Sequence, residues 1–186
     1  MEAVKKIELN KIAKIILVAL LGTLLLTISA KIKIPFYPVP MTMQTFMVLF
    51  LGITLGPKIG LLTISLYLLE GIFGLPVFAG TPEKGIGLIY FTGPTMGYLI
   101  GFLVAVYFAG SFKYDKGIIN TFLKLIFSIS FVYILGMIWL GILIGWDKPI
   151  FKLGAQPFLL AELFKMLLLL FLTPTLLKAK KLIKVT

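Results

Sequence analysis

LGPKIGLLTISLYLLEGIFGLPVFAG, residues Leu55–Gly80, decides how the chain is built. Its middle is an apolar run with a single acid, Glu70, toward the far end. Gly56-Pro57 opens the run, and Gly71, Gly74 and Pro76 interrupt its close. A membrane-crossing helix needs about 20 apolar residues, with a range of roughly 17–25. Proline lacks an amide hydrogen and glycine adopts φ values closed to other residues, so both ends predict helix breaks. Irregular backbone survives in a bilayer only where protein or a water-filled cavity surrounds it. The stretch therefore predicts a span over 59–79 that ends beside a cavity.

The same pattern recurs outward in both directions. Apolar runs predict spans over 13–30, 41–56, 86–111, 118–146 and 153–177, which makes six. The second is short and follows an extended segment from Pro35 to Pro40, whose three prolines disfavour helix. The fourth contains Gly93-Pro94, a second expected break near the same cavity. The reading is an all-α membrane protein of six transmembrane helices, broken near the extracytoplasmic side, forming one domain over 1–186. The N-terminal lysines before an apolar run resemble a signal peptide, but the first helix is long enough to stay as a span.

Composition agrees. Of 186 residues 60 % are hydrophobic and 13 % charged, and mean hydropathy is +1.09. A soluble domain carries roughly 45–50 % apolar and about 25 % charged residues, so this chain would have no polar shell in water. All 18 basic residues are lysines, and histidine and cysteine are absent. That removes thiolate and imidazole chemistry and the usual zinc or haem ligands. No metal, cofactor or nucleic-acid partner is expected. The surplus of +11 reports topology and lipid headgroups. Lys5, Lys6, Lys11, Lys14, Lys58, Lys113, Lys116, Lys178, Lys180, Lys181 and Lys184 fall on the side of the termini. Lys31, Lys33, Lys84, Lys148 and Lys152 fall on the other. The positive-inside rule then puts both termini in the cytoplasm, as in a multi-pass plasma-membrane protein. Lys124 snorkels near the cytoplasmic start of span five, and Lys31, Lys33, Lys148 and Lys152 read as ordinary loop charges.

Ionisable groups deep in a bilayer cost roughly 2.5–3.5 kcal/mol on insertion scales and mark function by default. Glu70, Glu162 and Lys165 qualify. Glu162 and Lys165 are three residues apart and share a helix face, about 15 Å into span six at 1.5 Å per residue. A buried pair gains little stability after desolvation, so a polar ligand site is the better reading. The loop 80–85 joins two broken spans over the expected cavity; it is either a plain turn or a loop that closes on a ligand, with Lys84 meeting an anionic group. Phe78, Tyr90 and Phe91 supply apolar walls, which suits a small amphipathic ligand. Ala19, Thr23 and Thr27 lie four apart on span one. Such a small-residue stripe allows close packing, either within the chain or against another membrane subunit. The sequence contains no P-loop motif, and six spans are few for a transporter built from inverted repeats.

Four segments carry a family resemblance: IPFYPVPMTMQTF at Ile34–Phe46, LGPKIG at Leu55–Gly60, YLLEGIFGLPVFAG at Tyr67–Gly80 and GPTMGYLIGF at Gly93–Phe102. Together they resemble the BioY family, the biotin-binding S components of energy-coupling factor (ECF) transporters, over about 15–177. The resemblance implies the six-helix S-component fold and an extracytoplasmic biotin pocket. It also implies a transmembrane coupling subunit and two ABC-type ATPases as partners. The family's last helix carries an Asp and, three residues on, a Lys in the pocket; Glu162 and Lys165 stand there, the acid one methylene longer. Glu70 and Lys84 occupy places comparable to polar family positions, and Met96 replaces a usual glycine. On this reading Lys84 or Lys165 pairs with the biotin carboxylate, Glu162 or Glu70 accepts from the ureido N–H groups, and the aromatics cover the bicycle. The stripe on span one would dock the coupling subunit, and ATP hydrolysis in the partners would drive transport. The alternatives are a solitary biotin facilitator or proton-coupled carrier, and an S component for another vitamin. No nucleophile–base pair supports an enzyme.

Overall fold

The computed structural model describes residues 2–34, 37–39, 41–83 and 85–183. Helix α1 covers Glu2–Lys31. Two-residue strands β1 (Lys33–Ile34) and β2 (Met41–Thr42) form an antiparallel ribbon, with Lys33 opposite Thr42. Then come α2 (Gln44–Ile72), a 3-10 helix (Gly87–Thr92), α3 (Met96–Ser111) and α4 (Gly117–Ile144). Short α5 (Ile150–Gly154) and a 3-10 turn (Gln156–Phe158) lead into α6 (Leu159–Ile183). Helix satisfies every backbone group within its own segment, which is why long apolar runs take this form.

Helix α2 is not straight. Gly56 has φ +76° and ψ 177° within it. The Gln44 side-chain amide donates to the Tyr67 hydroxyl at 2.8 Å, whereas 23 residues of straight helix would separate them by about 35 Å. The chain therefore folds back at Gly56-Pro57 into two helical arms. Glycine supplies the positive φ, and proline suits the first turn of the arm that follows. The far end of α3 seats on this turn: a Cβ added to Gly110 would lie 2.5 Å from the Pro57 nitrogen.

Among the described residues four helical stretches are long and apolar enough to cross a membrane: Leu9–Lys31, Gln44–Ile72, Gly117–Ile144 and Ile150–Leu182. Met96–Ser111 is apolar but shorter. Of the spans expected over 41–56 and 59–79, α2 takes in Gln44–Ile72, while Met41–Thr42 is strand and 73–79 lies outside any helix. The span expected over 86–111 is a 3-10 helix, an extended Gly93 and then α3.

Small residues set the helix contacts. A Cβ on Gly97 would meet the Leu135 carbonyl oxygen at 2.4 Å, and one on Gly101 the Val132 Cα at 2.6 Å, so α3 lies directly on α4. Gly52 likewise brings α2 close to α3, where an added Cβ would lie 2.8 Å from the Val106 carbonyl oxygen. Without a hydrophobic force between helices in lipid, such close approach supplies the packing energy. Gly22 places α1 against Thr63 and Leu51 of α2. Leu26, Leu49, Ile53, Ile64, Leu125, Leu140 and Leu169 are sealed in the interior. Leu17, Leu21 and Leu24 on α1 and Phe164 and Phe171 on α6 are exposed, a pattern that suits hydrocarbon and not water.

Candidate substrate-binding site

The ribbon, the first turn of α2, the 3-10 helix, α3, α4 and the start of α6 converge on one cavity of about 50 Å³. Its polar end is built by α6. Glu162 and Lys165 are buried, 5 % and 7 % exposed. Spacing of three turns both inward together, and the ammonium lies 2.7 Å from the carboxylate. Lys165 also donates to the Thr42 carbonyl at 2.6 Å and to Thr45 Oγ1 at 3.0 Å. Thr45 in turn donates to Glu162 Oε1 at 2.8 Å. An ammonium has three donors and all three are used. The carboxylate keeps acceptor capacity, since it offers about four lone-pair sites. The Tyr133 hydroxyl faces the same carboxylate.

Thr42 and Thr45 meet this group, and Gln44 lines the same cavity, because β2 runs straight into α2. The Gln44 backbone N–H donates to Thr42 Oγ1 at 3.3 Å, which ties the ribbon to the helix start. The Gln44 side chain reaches Tyr67, whose hydroxyl donates to the Val77 carbonyl at 2.9 Å.

The remaining wall is aromatic and aliphatic: Tyr90, Tyr98, Phe102, Tyr133 and Phe158 with Leu99 and Val132. Tyr98 and Tyr133 meet edge to face at 6.1 Å, and Tyr133 lies 6.3 Å from Phe158. Hydroxyl bonds fix two of these rings: Tyr90 donates to the Ala79 carbonyl and Tyr98 to the Gly154 carbonyl, each at 2.7 Å. Gly136 makes room for the Tyr98 ring, which a Cβ there would strike at 2.4 Å. Chemically the cavity offers one anionic acceptor, hydroxyls and flat apolar surfaces.

Of the residues singled out by sequence, Glu162, Lys165 and Tyr90 come together here. Phe78 is sealed one layer behind Tyr90, stacked on it at 4.8 Å and edge-on to Tyr67 at 5.2 Å. Glu70 is half-buried on α2 outside the cavity lining, and it accepts from Thr23 of α1 at 2.9 Å. Ala19 and Thr23 are buried within the chain, 1 % and 4 % exposed, and Thr27 is partly buried. Its hydroxyl bonds the Thr23 carbonyl. The stripe thus faces α2, and the outward face of α1 is leucine and isoleucine. Lys84 lies outside the described residues. Lys31 is not an ordinary loop charge: its ammonium binds Phe78 and Thr81. Sequence reasoning gave no role to Thr42, Gln44, Thr45, Tyr98, Tyr133 or Phe158. The T-x-Q-T and G-P-T-x-G-Y runs contain the first four.

Long apolar helices with lipid-type exposure, enclosing one buried charged pair in an aromatic-walled cavity, define a polytopic membrane protein with an internal polar cavity. The BioY family model matches residues 3–182. The chain is 35 % identical to the probable biotin transporter BioY of Pyrococcus horikoshii, covering 82 % of this chain and 90 % of the relative. It is 34 % identical to the biotin transporter BioY of Thermotoga maritima, covering 77 % and 84 %. Among solved structures it is similar to the S-component for biotin from an ECF-type ABC transporter, with TM-score 0.74, 26 % identity and coverage of 91 % of this chain and 93 % of that one. The chain belongs to the BioY family, a family of transporters and not of enzymes, and has the S-component fold.

Proposed function

We propose that this chain captures biotin within the membrane as the substrate-binding subunit of an ECF-type biotin transporter. It works with a transmembrane coupling subunit and ABC-type ATPases. The observation that carries the reading is the buried Glu162–Lys165–Thr45 group at the end of an aromatic cavity, in a chain of this family. Biotin has a flat ureido ring with two N–H donors, an apolar bicycle and a carboxylate tail. Glu162 accepts from the ureido N–H groups through its unused acceptor capacity. Charge-assisted bonds of this kind are about twice as strong as neutral ones. Lys165 already spends its three donors on Glu162, Thr42 and Thr45, so it orients the carboxylate and does not hold the tail. Lys84 is the proposed partner of the tail. Tyr90, backed by Phe78, and Tyr98 cover the bicycle. Glu70 joins α1 to α2.

Ligand pockets are usually about 300–1,000 Å³, far above the 50 Å³ here. The cavity is therefore too small for biotin as it stands, and substrate entry widens it by moving a wall. The two arms of α2 and the broken passage into α3 give six crossings, with the cavity toward the extracytoplasmic side. The lysine distribution supports cytoplasmic termini in the plasma membrane. Equilibrium binding of labelled biotin to the purified chain tests the reading, and co-purification from cells tests the partners.

A further inference from the structure

Lys31 closes α1, and its ammonium donates to the Phe78 carbonyl at 3.0 Å and to the Thr81 carbonyl and hydroxyl at 3.1 Å each. Those bonds use all three donors. Among the described residues no carboxylate lies within ion-pair distance of it. Neutral oxygens of one short segment therefore accept all its hydrogen bonds, with Glu83 attracting and Lys33 repelling the charge from further off. The same segment is gripped twice more: the Val77 carbonyl by the Tyr67 hydroxyl and the Ala79 carbonyl by the Tyr90 hydroxyl. Residues 77–81 belong to no helix or strand, yet all five described side chains among them are buried or glycine.

Ala79 and Tyr90 line the cavity. On its other side Lys31 runs through Ile32 into β1, whose partner β2 ends at Thr42, the residue bound by Lys165. One helix end thus bonds the segment that carries Ala79 into the cavity and leads into the strand paired with β2, which lines the other side. Hydrogen bonds and the packed Phe78 ring give this wall its order, because 77–81 has no ladder of its own.

We propose that Lys31 is a positioning residue for substrate retention: it latches the 77–81 wall over the cavity and so sets how fast a bound ligand leaves. Bonds from a charged donor to neutral acceptors hold the wall shut without an ion pair to break, so it reopens for exchange. The ligand part of this proposal rests on the biotin reading above.

The test uses the full chain in nanodiscs, comparing wild type with Lys31→Met, Lys31→Gln and Lys31→Arg. Stopped-flow biotin binding and amide exchange over 77–82 are the readouts. Lys31→Met should speed biotin release about tenfold or more, the loss of bonds to a charged donor, and change association less than about threefold. Amide exchange over 77–82 should rise with it. Lys31→Arg should restore both, and Lys31→Gln, which keeps a donor without the charge, should fall between. Unchanged release and exchange in Lys31→Met would overturn the proposal, as would a defect that Lys31→Arg does not repair. If wild type fails to bind biotin, the biotin reading falls separately. The exchange data then decide the latch by the same comparison.

Discussion

The Lys165 ammonium on α6 donates at 2.6 Å to the carbonyl of Thr42, the last residue of β2. One buried lysine thus fastens the final helix to the ribbon and, through Thr45, to the first turn of α2. It is the junction of three elements as well as the partner of Glu162. Removing either charge alone leaves the other buried without its counter-ion, which costs about 3–5 kcal/mol.

Glu162→Gln and Lys165→Met should therefore each lower Tm, while the double variant should recover much of the loss. Biotin binding should not recover in the double variant. A double-mutant cycle with thermal unfolding and binding in parallel separates the two roles. Restored binding in the double variant would show the pair to be structural only.

Glu70 lies off the cavity and takes its bond from Thr23. Glu70→Gln should keep biotin affinity within about threefold, since a glutamine oxygen still accepts from Thr23 and one neutral bond is worth about 1 kcal/mol. A hundredfold loss measured by equilibrium binding would put Glu70 in the site.

Tyr98→Phe leaves the buried Gly154 carbonyl without its donor. An unsatisfied buried group costs about 1–3 kcal/mol, so Tm should fall by a matching amount and α5 should loosen. Tyr133→Phe should leave Tm nearly unchanged and weaken biotin binding by up to about tenfold, the scale of one hydrogen bond near a charge.

Gly101 approaches Val132 of α4 so closely that a side chain has no space. Gly101→Leu should prevent purification of folded protein or cut Tm sharply, because overpacking costs about 1–3 kcal/mol and occasionally more. Leu24→Val, on the exposed face of α1, is the matched control and should change nothing measurable by thermal unfolding.

The elements were legible in the sequence to the extent that they depend on local chemistry. Apolar runs marked the helices, and Gly56-Pro57 marked the fold-back, because proline and glycine act on their own residues. Glu162 and Lys165 were legible as a pair because helix geometry alone puts i and i+3 on one face. What depended on tertiary contact was not. Glu162 meets Thr45 across 117 residues, a distance no local pattern spans. Tyr133 and Phe158 look like any aromatic in an apolar helix, whether it faces lipid or ligand. Glu70 read as a site residue from its depth, but α2 is apolar on most sides, so hydropathy does not fix its rotation. Lys31 read as a loop charge because its partners are a hydroxyl and backbone carbonyls, and carbonyls are present in every sequence.

The most direct measurement is equilibrium binding of biotin to the purified full chain and to Glu162→Gln and Lys165→Met, with folding checked in the same samples. Wild type should bind tightly, and both folded variants should lose affinity by about two orders of magnitude or more, as expected for bonds to a buried charge. Wild-type affinity in both folded variants would contradict the assignment of this buried pair as the substrate site.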